Sequence, residues 1–279
     1  MKKYLLFLYL LSLQHVFAVM VLERTGKKNL IEPAKDYAIN DDALFNPHMA
    51  EMVKPSIHRS LMAKAFEDKD IKDVFTEIYR ENFWLGTKSR SGQGSTLGTT
   101  AVIRQELSQL FDMFKIESIL DAGCGDYYWM RTVDMKGRLY FGADIVPEMI
   151  EKNRECFADD NHHFLCLNLA EDILPKVDMV ICRDVLAHLD AQTVCKVLRN
   201  LKASGSTFLL ATTHETGKNR SIVPGNHYPY DLTAAPFSLP EPLILIRETT
   251  AEDSSLQDKK AMGLWLLQDL DLNCLEYES

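Results

Sequence analysis

The sequence predicts an α/β domain, a mostly parallel sheet wound with helices, and three observations predict it. Short β-branched or apolar runs alternate with longer amphipathic stretches from residue 117 onward, the order that a parallel sheet flanked by helices requires. Each run ends in a polar side chain, and the carboxyl edge of an open α/β sheet is where ligands bind. The chain has 279 residues, 46% of them hydrophobic and 25% charged, which suits one globular core with a small appendage.

The first element stands outside that sheet. Lys2 and Lys3 precede an apolar run over 4–13, and "VFA" ends at Ala18 with small residues suited to cleavage, the pattern of a signal peptide. The alternative is a membrane anchor continuing through Leu22, but Gln14 and His15 would fall in mid-span, where a polar pair is costly in hydrocarbon. Cleavage removes two lysines and takes the formal net charge from −9 to −11. Lys2 and Lys3 predict a cytoplasmic amino terminus and an exported domain. The expected location is therefore the secretory pathway or outside the cytoplasm, with membrane contact only through an uncleaved anchor.

Within the sheet, "SIL" leads into Asp121, "RLYFGAD" ends at Asp144, "HFLCLN" at Asn168, "VDMVICRD" at Asp184 and "STFLLATT" at Thr213. Between them, "PEMIEKNRECF" and "AQTVCKVLRNLKASG" carry apolar residues at helical spacing, the second closing on a glycine as helices commonly do. Segment 225–246, with four prolines and two tyrosines, is the most irregular stretch. Long connections of this kind are usually functional or disordered, and its aromatic and apolar content favours order. We read 226–231 as a lid or substrate wall.

Charge and cysteine usage exclude several classes. A net charge of −9 leaves no basic stripe for a phosphate backbone, so nucleic acid is not an expected partner and a small-molecule substrate fits better. Of the six cysteines (Cys124, Cys156, Cys166, Cys182, Cys195, Cys274), four lie in or beside apolar segments, where cysteine is usually a small buried hydrophobe; disulfides are not expected. There is no CxxC pair and no Cys/His cluster at zinc spacing, and His162 and His163 lack a partner at a metal-site interval. No metal is expected. Asn219 opens "NRS", a glycosylation acceptor in a eukaryotic secretory lumen.

The stretch "SILDAGCGDYYWM", 118–130, carries the most chemistry. Gly123 and Gly125 let the chain turn sharply out of the first strand and let a ligand approach the backbone, and the helix expected after them offers free N–H groups. A dinucleotide fingerprint would need a third glycine where Tyr128 stands. Asp126 at the expected helix start would repel a pyrophosphate and could pair with an ammonium group, so the loop favours a cationic ligand.

These residues resemble a family. "ILDAGCGD" followed by "GADIV" is similar to the first and second motifs of class I S-adenosylmethionine-dependent methyltransferases, and "DMVICRDVLAHLD" resembles the fourth. The resemblance covers about residues 117–213. It implies a Rossmann-like, doubly wound, seven-stranded sheet whose last strand, "MGLWLLQDL", is antiparallel, with helices added at the amino terminus. It also implies that Asp121, Gly123 and Gly125 lie against the methionine part of S-adenosylmethionine and that Asp144 accepts hydrogen bonds from both ribose hydroxyls. Asn168 stands where the family often has an aspartate at the adenine amino group. Ile145 and Leu169, each next to one of these, are read as cofactor contacts too, and Arg183 and Asp184 line the pocket near the sulfonium.

Upstream, "SRSGQGSTLGTTAVIRQEL" resembles a glycine-serine segment of one poorly characterised branch of these enzymes. Ser95 is expected to cap a helix running through Leu107 and to place its N-terminus toward the methionine carboxylate; the alternative is a flexible linker before a capped helix. Phe83 and Trp84 either roof the cofactor or belong to the core. The expected organisation is thus a signal peptide or anchor over 1–18, a helical extension with a cofactor-capping segment over 19–115, and a methyltransferase core over 116–279 with a lid over 213–240.

The implied chemistry is transfer of an already activated methyl group, for which the protein aligns a nucleophile and excludes water. His188 has the intrinsic pKa range of a general base for a hydroxyl or protonated amine acceptor, or else hydrogen-bonds the cofactor edge or neighbouring backbone. Asp184 is the other candidate base, a role that requires a raised pKa, and Arg183 either pairs with it or holds an acidic group of the acceptor. Two further classes stay open: a protein of this fold that binds S-adenosylmethionine without transferring methyl, and an NAD(P)-dependent oxidoreductase, against which Tyr128 argues.

Overall fold

The computed structural model describes residues 5–11, 16–22, 28–30, 66, 69–248 and 260–272. The chain divides into two compact units, Met1–His58 and Arg59–Ser279. In the first, three strands, β1 (Leu5–Leu11), β2 (Val16–Leu22) and β3 (Lys28–Leu30), pair antiparallel in the order β1-β2-β3. The expected leader, 1–18, lies partly outside the described residues, and where it is described its backbone is extended. Among the described residues no helix is long and apolar enough to cross a membrane.

The second unit holds α1 (Ile71–Arg80), α2 (Ala101–Met113), β4 (Ser118–Ala122), β5 (Leu139–Asp144), α3 (Pro147–Phe157), β6 (His162–Cys166), β7 (Met179–Cys182), α4 (Ala191–Ala203), β8 (Phe208–His214), β9 (Ile244–Arg247) and β10 (Lys260–Leu266). The sheet order is β6-β5-β4-β7-β8-β10-β9. Strands β4 to β8 pair in parallel, and β10 runs against both β8 and β9. This is the seven-stranded sheet with one antiparallel strand that the sequence predicts. Going outward from the centre, β4 leads to β5 on one side and β7 on the other, so the chain reverses direction across the sheet between them and opens a crevice at their carboxyl ends.

Alternation along the strands builds the two layers. On β4, Ile119 packs in the layer that holds Ile103 and Leu107 of α2 and Ile150 of α3, while Leu120 faces the layer of Val194, Leu198 and Leu201 of α4. Each such aliphatic side chain, buried, contributes about 1.5–3 kcal/mol. Asp190 starts α4 by accepting a hydrogen bond from Thr193 N at 3.0 Å, and Asp70 starts α1 by accepting one from Lys72 N at 2.8 Å, both ordinary N-caps. Because α2 supplies Ile103, Leu107 and Phe111 to the main core, it is part of the sheet's own unit, inside the stretch read from the sequence as an extension.

Three local expectations change. Ser95 caps no helix: it ends a 3₁₀ turn, Gln93–Ser95, its hydroxyl reaches back to Ser91 O at 3.5 Å, and α2 begins only at Ala101 after further turns around Gly98. The glycine loop is followed by a short 3₁₀ turn, Met130–Thr132, in place of a helix. And Cys195, on the buried face of α4, is disulfide-bonded, with its partner outside the described residues, whereas Cys124, Cys156, Cys166 and Cys182 are free thiols. A small apolar setting therefore did not preclude a cross-link.

Candidate active site

A cavity of about 880 Å³ opens at the carboxyl edge of the sheet, within the usual range for a small-molecule site. Ser95, Asp121, Gly123, Gly125, Asp144, Ile145, Asn168, Leu169, Arg183, Asp184 and His188 all line it. Four of the five polar strand tips that the sequence marks are thus brought together; the fifth, Thr213, accepts from Leu232 N at 3.0 Å instead.

Its floor is the loop after β4. Gly123 and Gly125 have φ of +86° and +57°, and a Cβ on them would come within 2.1 Å of Val185 Cγ2 and 2.0 Å of Ser91 Oγ, so no other residue fits either place without displacement. Asp144 fixes the loop from β5: Oδ2 accepts from Gly125 N at 3.1 Å and Oδ1 from Val146 N at 3.1 Å. Burial raises the Asp144 pKa against these bonds, and each oxygen retains a lone pair for a further donor. Asn168 turns its side-chain oxygen onto Ala170 N at 3.0 Å, so it shapes the turn after β6 and keeps one remaining lone pair for a ligand.

Asp126 departs from the sequence reading. Its carboxylate accepts from Ser89 Oγ at 2.9 Å, Arg90 N at 2.7 Å and Ser91 Oγ at 3.4 Å, so it fastens the 89–91 segment over the glycine loop and is not free to meet an ammonium group. That bonding argues against a flexible linker, since a segment tied at three consecutive residues lies ordered along the cavity.

Asp121 is fully buried, takes a 2.7 Å hydrogen bond from Tyr140 Oη, and is pushed up to about 7, mainly by burial and partly by the charge of Asp144. An acid whose folded pKa is raised costs stability as pH rises, because the folded state holds a proton between roughly 4 and 7 that the unfolded chain has released. We expect Asp121→Asn, which keeps an oxygen for Tyr140, to melt close to the parent near pH 5 and above it near pH 8. Equal melting shifts at both pH values would contradict this.

The other wall is carried by the turn after β7. His188 closes a 3₁₀ turn, Leu186–His188. Its Nδ1 lies 2.9 Å from Asn226 O, so Nδ1 donates and Nε2 keeps the lone pair. Its ring centroid is 4.8 Å from Trp84 and 5.3 Å from His227. Burial first, then His227, pull its pKa down to about 4, and it is neutral at pH 7. Trp84 thus borders the cavity as well as packing against the small cluster of Phe66, Val74 and Ile78.

Asp184 does not show the raised pKa that a base needs. Burial alone would raise it, but Arg183 at 3.0 Å and Lys260 at 2.5 Å outweigh burial and hold it at about 2. It pairs with Arg183, one of the two options open from the sequence. Segment 226–231 packs onto the turn after β7 and brings His227 to the cavity: Gly225 N donates to His188 O, Tyr228 N to Ala187 O, and Tyr230 Oη to Leu189 O, all within 3.0 Å, and Tyr230 is buried. Glu248 and Lys260, which also line the cavity, were missed from the sequence, although both sit at tips of the β9–β10 hairpin and the polar-tip rule extends to them. Among the described residues no group of three metal-ligating side chains is gathered.

The fold and crevice define an α/β domain of the Rossmann-like kind. Residues 120–205 match a family described as "Methyltransferase domain". A malonyl-[acyl-carrier protein] O-methyltransferase of Acetivibrio thermocellus is 31% identical over 114 residues, 37% of this chain and 40% of that protein; the chain thus matches about two fifths of this relative's length. Magnesium protoporphyrin IX methyltransferase from Synechocystis PCC 6803, with bound SAH, superposes with a TM-score of 0.51 at 14% identity, over 71% of this chain and 99% of that one. At that identity the likeness is one of fold.

Proposed function

We propose that this chain binds S-adenosylmethionine and transfers its methyl group to a small-molecule acceptor. The observation that carries this reading is one cavity lined by both the glycine loop with Asp144 and the His188–Trp84–His227 wall, a donor end and an acceptor end. The donor fits the residues present: Asp144 has lone pairs to spare for the ribose hydroxyls, the paired glycines leave bare backbone for the methionine part, and Ile145 and Leu169 offer apolar surface to the adenine. When bound, the donor supplies an activated methyl on a sulfonium.

The chain's own residues do the rest. The Asp126-tied segment and α1, whose Arg80 pairs with Glu148 at the start of α3, exclude water from one side. The 225–232 wall fixes the His188 tautomer, leaving Nε2 to accept the acceptor's proton. Asp184, ionised throughout the physiological range, orients rather than abstracts. Calorimetry with S-adenosylmethionine and with NAD tests the donor assignment, and a labelled-methyl screen over metabolites separates an enzyme from a binder. Heat with NAD and none with S-adenosylmethionine would reverse the reading.

We also read the domain as exported. The Lys2–Lys3 leader pattern supports this, and so does the disulfide at Cys195, since such bonds persist mainly in oxidising compartments. Asn219 is a poor glycan site in the folded protein: its side-chain nitrogen donates to Asp231 O at 2.8 Å and Ala235 O at 2.9 Å, and its oxygen accepts from Asp231 N at 2.8 Å.

A further inference from the structure

Four charged side chains meet where β7, β8, β9 and β10 end side by side. Arg183 Nε donates to Glu248 Oε1 at 2.8 Å, and Arg183 Nη1 reaches Gly94 O at 3.0 Å. Lys260 Nζ lies 2.5 Å from Asp184 Oδ2 and 3.2 Å from Glu248 Oε2. Two cations and two anions make the set neutral. Burying such a set is a weak route to stability, because desolvation consumes most of the attraction, so its placement on a cavity wall calls for another explanation.

Exposure divides the four. The Arg183 and Glu248 side chains are 2% and 3% exposed, whereas Asp184 is 25% exposed. Asp184 also stands at φ +57°, a left-handed conformation that aspartate and asparagine tolerate better than other non-glycine residues. Thr212 Oγ1 holds its N–H at 2.9 Å. Oδ2 is taken by the two cations, while among the described residues Oδ1 has only Thr212 Oγ1 at 3.5 Å, which leaves it able to accept a strong hydrogen bond. Nearby, the rings of Trp84, His188 and His227 follow one another, and aromatic faces attract cations. His188 Nε2 adds a second acceptor atom.

We propose that Glu248 and Lys260 are positioning residues that hold the Asp184 carboxylate in one orientation to receive a cationic hydrogen-bond donor, which makes the acceptor an amine. This rests on the donor reading above. The bound ammonium gives one proton to His188 Nε2; its freed nitrogen pair bonds the methyl carbon, and the carbon–sulfur pair stays on sulfur as a neutral thioether. Glu248 acts only through Arg183 and Lys260, and both act through Asp184.

The test needs no acceptor. Sinefungin carries an ammonium-bearing carbon where the donor has its sulfonium methyl, and S-adenosylhomocysteine carries neither, so their affinity ratio by calorimetry reports the field at that end. The unaltered protein should prefer sinefungin by about tenfold or more, the worth of one hydrogen bond to a charged group. Asp184→Asn, which suits a positive φ, should bring the ratio near one with S-adenosylhomocysteine binding changed less than about threefold. Glu248→Gln and Lys260→Met should both lower the ratio, and Lys260→Arg should restore it; melting curves confirm that each variant folds. Net charge acting alone would move Glu248→Gln and Lys260→Met in opposite directions, and that result overturns positioning. Equal weakening of both ligands in every variant would mean a structural role and overturns it too. A ratio near one in the unaltered protein removes the amine inference and leaves the donor reading standing; binding of neither ligand removes both.

Discussion

Asp144→Ala is expected to weaken S-adenosylmethionine binding a hundredfold or more while leaving the sheet folded. Asp144 ends β5 beside the glycine loop, already takes Gly125 N and Val146 N, and is read as the acceptor for two ribose hydroxyls. A hydrogen bond to a charged acceptor is worth about 1.5–3 kcal/mol, so two lost together amount to about 3–6 kcal/mol. Part of the effect will come from the loosened loop, because Gly125 loses its partner. Asp144→Asn separates the contributions, since it keeps one oxygen acceptor and the volume; an intermediate affinity is expected from it. Calorimetry on both variants is the measurement, and parent-like affinity in the alanine protein would take Asp144 out of the donor site.

The second large effect is expected at His188. His188→Ala should lower turnover about a hundredfold with donor affinity nearly unchanged. General-base assistance spans about 10²–10⁴-fold, and it is weakest when the base sits far below the working pH. With Nδ1 given to Asn226 O and the pKa pulled to about 4, His188 is always ready to accept a proton but holds it poorly, which places it at the low end. The acid limb of kcat/KM should accordingly fall near pH 4 rather than 6.5. A limb near 6.5, or loss of donor affinity without loss of turnover at saturating donor, would move His188 to the donor side of the cavity.

What the sequence made legible was whatever is local. An apolar run ending in Asp121, Asp144 or Asp184 fixes a strand and its tip together, because the chain must leave the sheet there. The same locality misled at Asp126: next to two glycines it reads as a helix start open to a ligand, yet its partners come from 37 residues upstream, and nothing in the loop announces them. Glu248 and Lys260 meet residues 65 and 76 positions away, and only the return of β10 against β8 brings them to that edge. His188 was found by residue type, but its tautomer comes from Asn226 O across the wall, and its depressed pKa comes from burial first and then from His227. At Cys195 the apolar setting was read correctly and the bond was not, since burial of a cysteine and its oxidation state are separate matters.

The Asp126 carboxylate that fastens residues 89–91 also sets a clock. Lifting that segment requires three neighbouring bonds to one side chain to part in concert, an opening rarer than the breaking of any one. Residence time of a spent donor is then written into a residue that need never touch it. Loosening that carboxylate would speed exchange of the held molecule and of bulk water alike, so the fastening that slows departure is the one that keeps the interior dry.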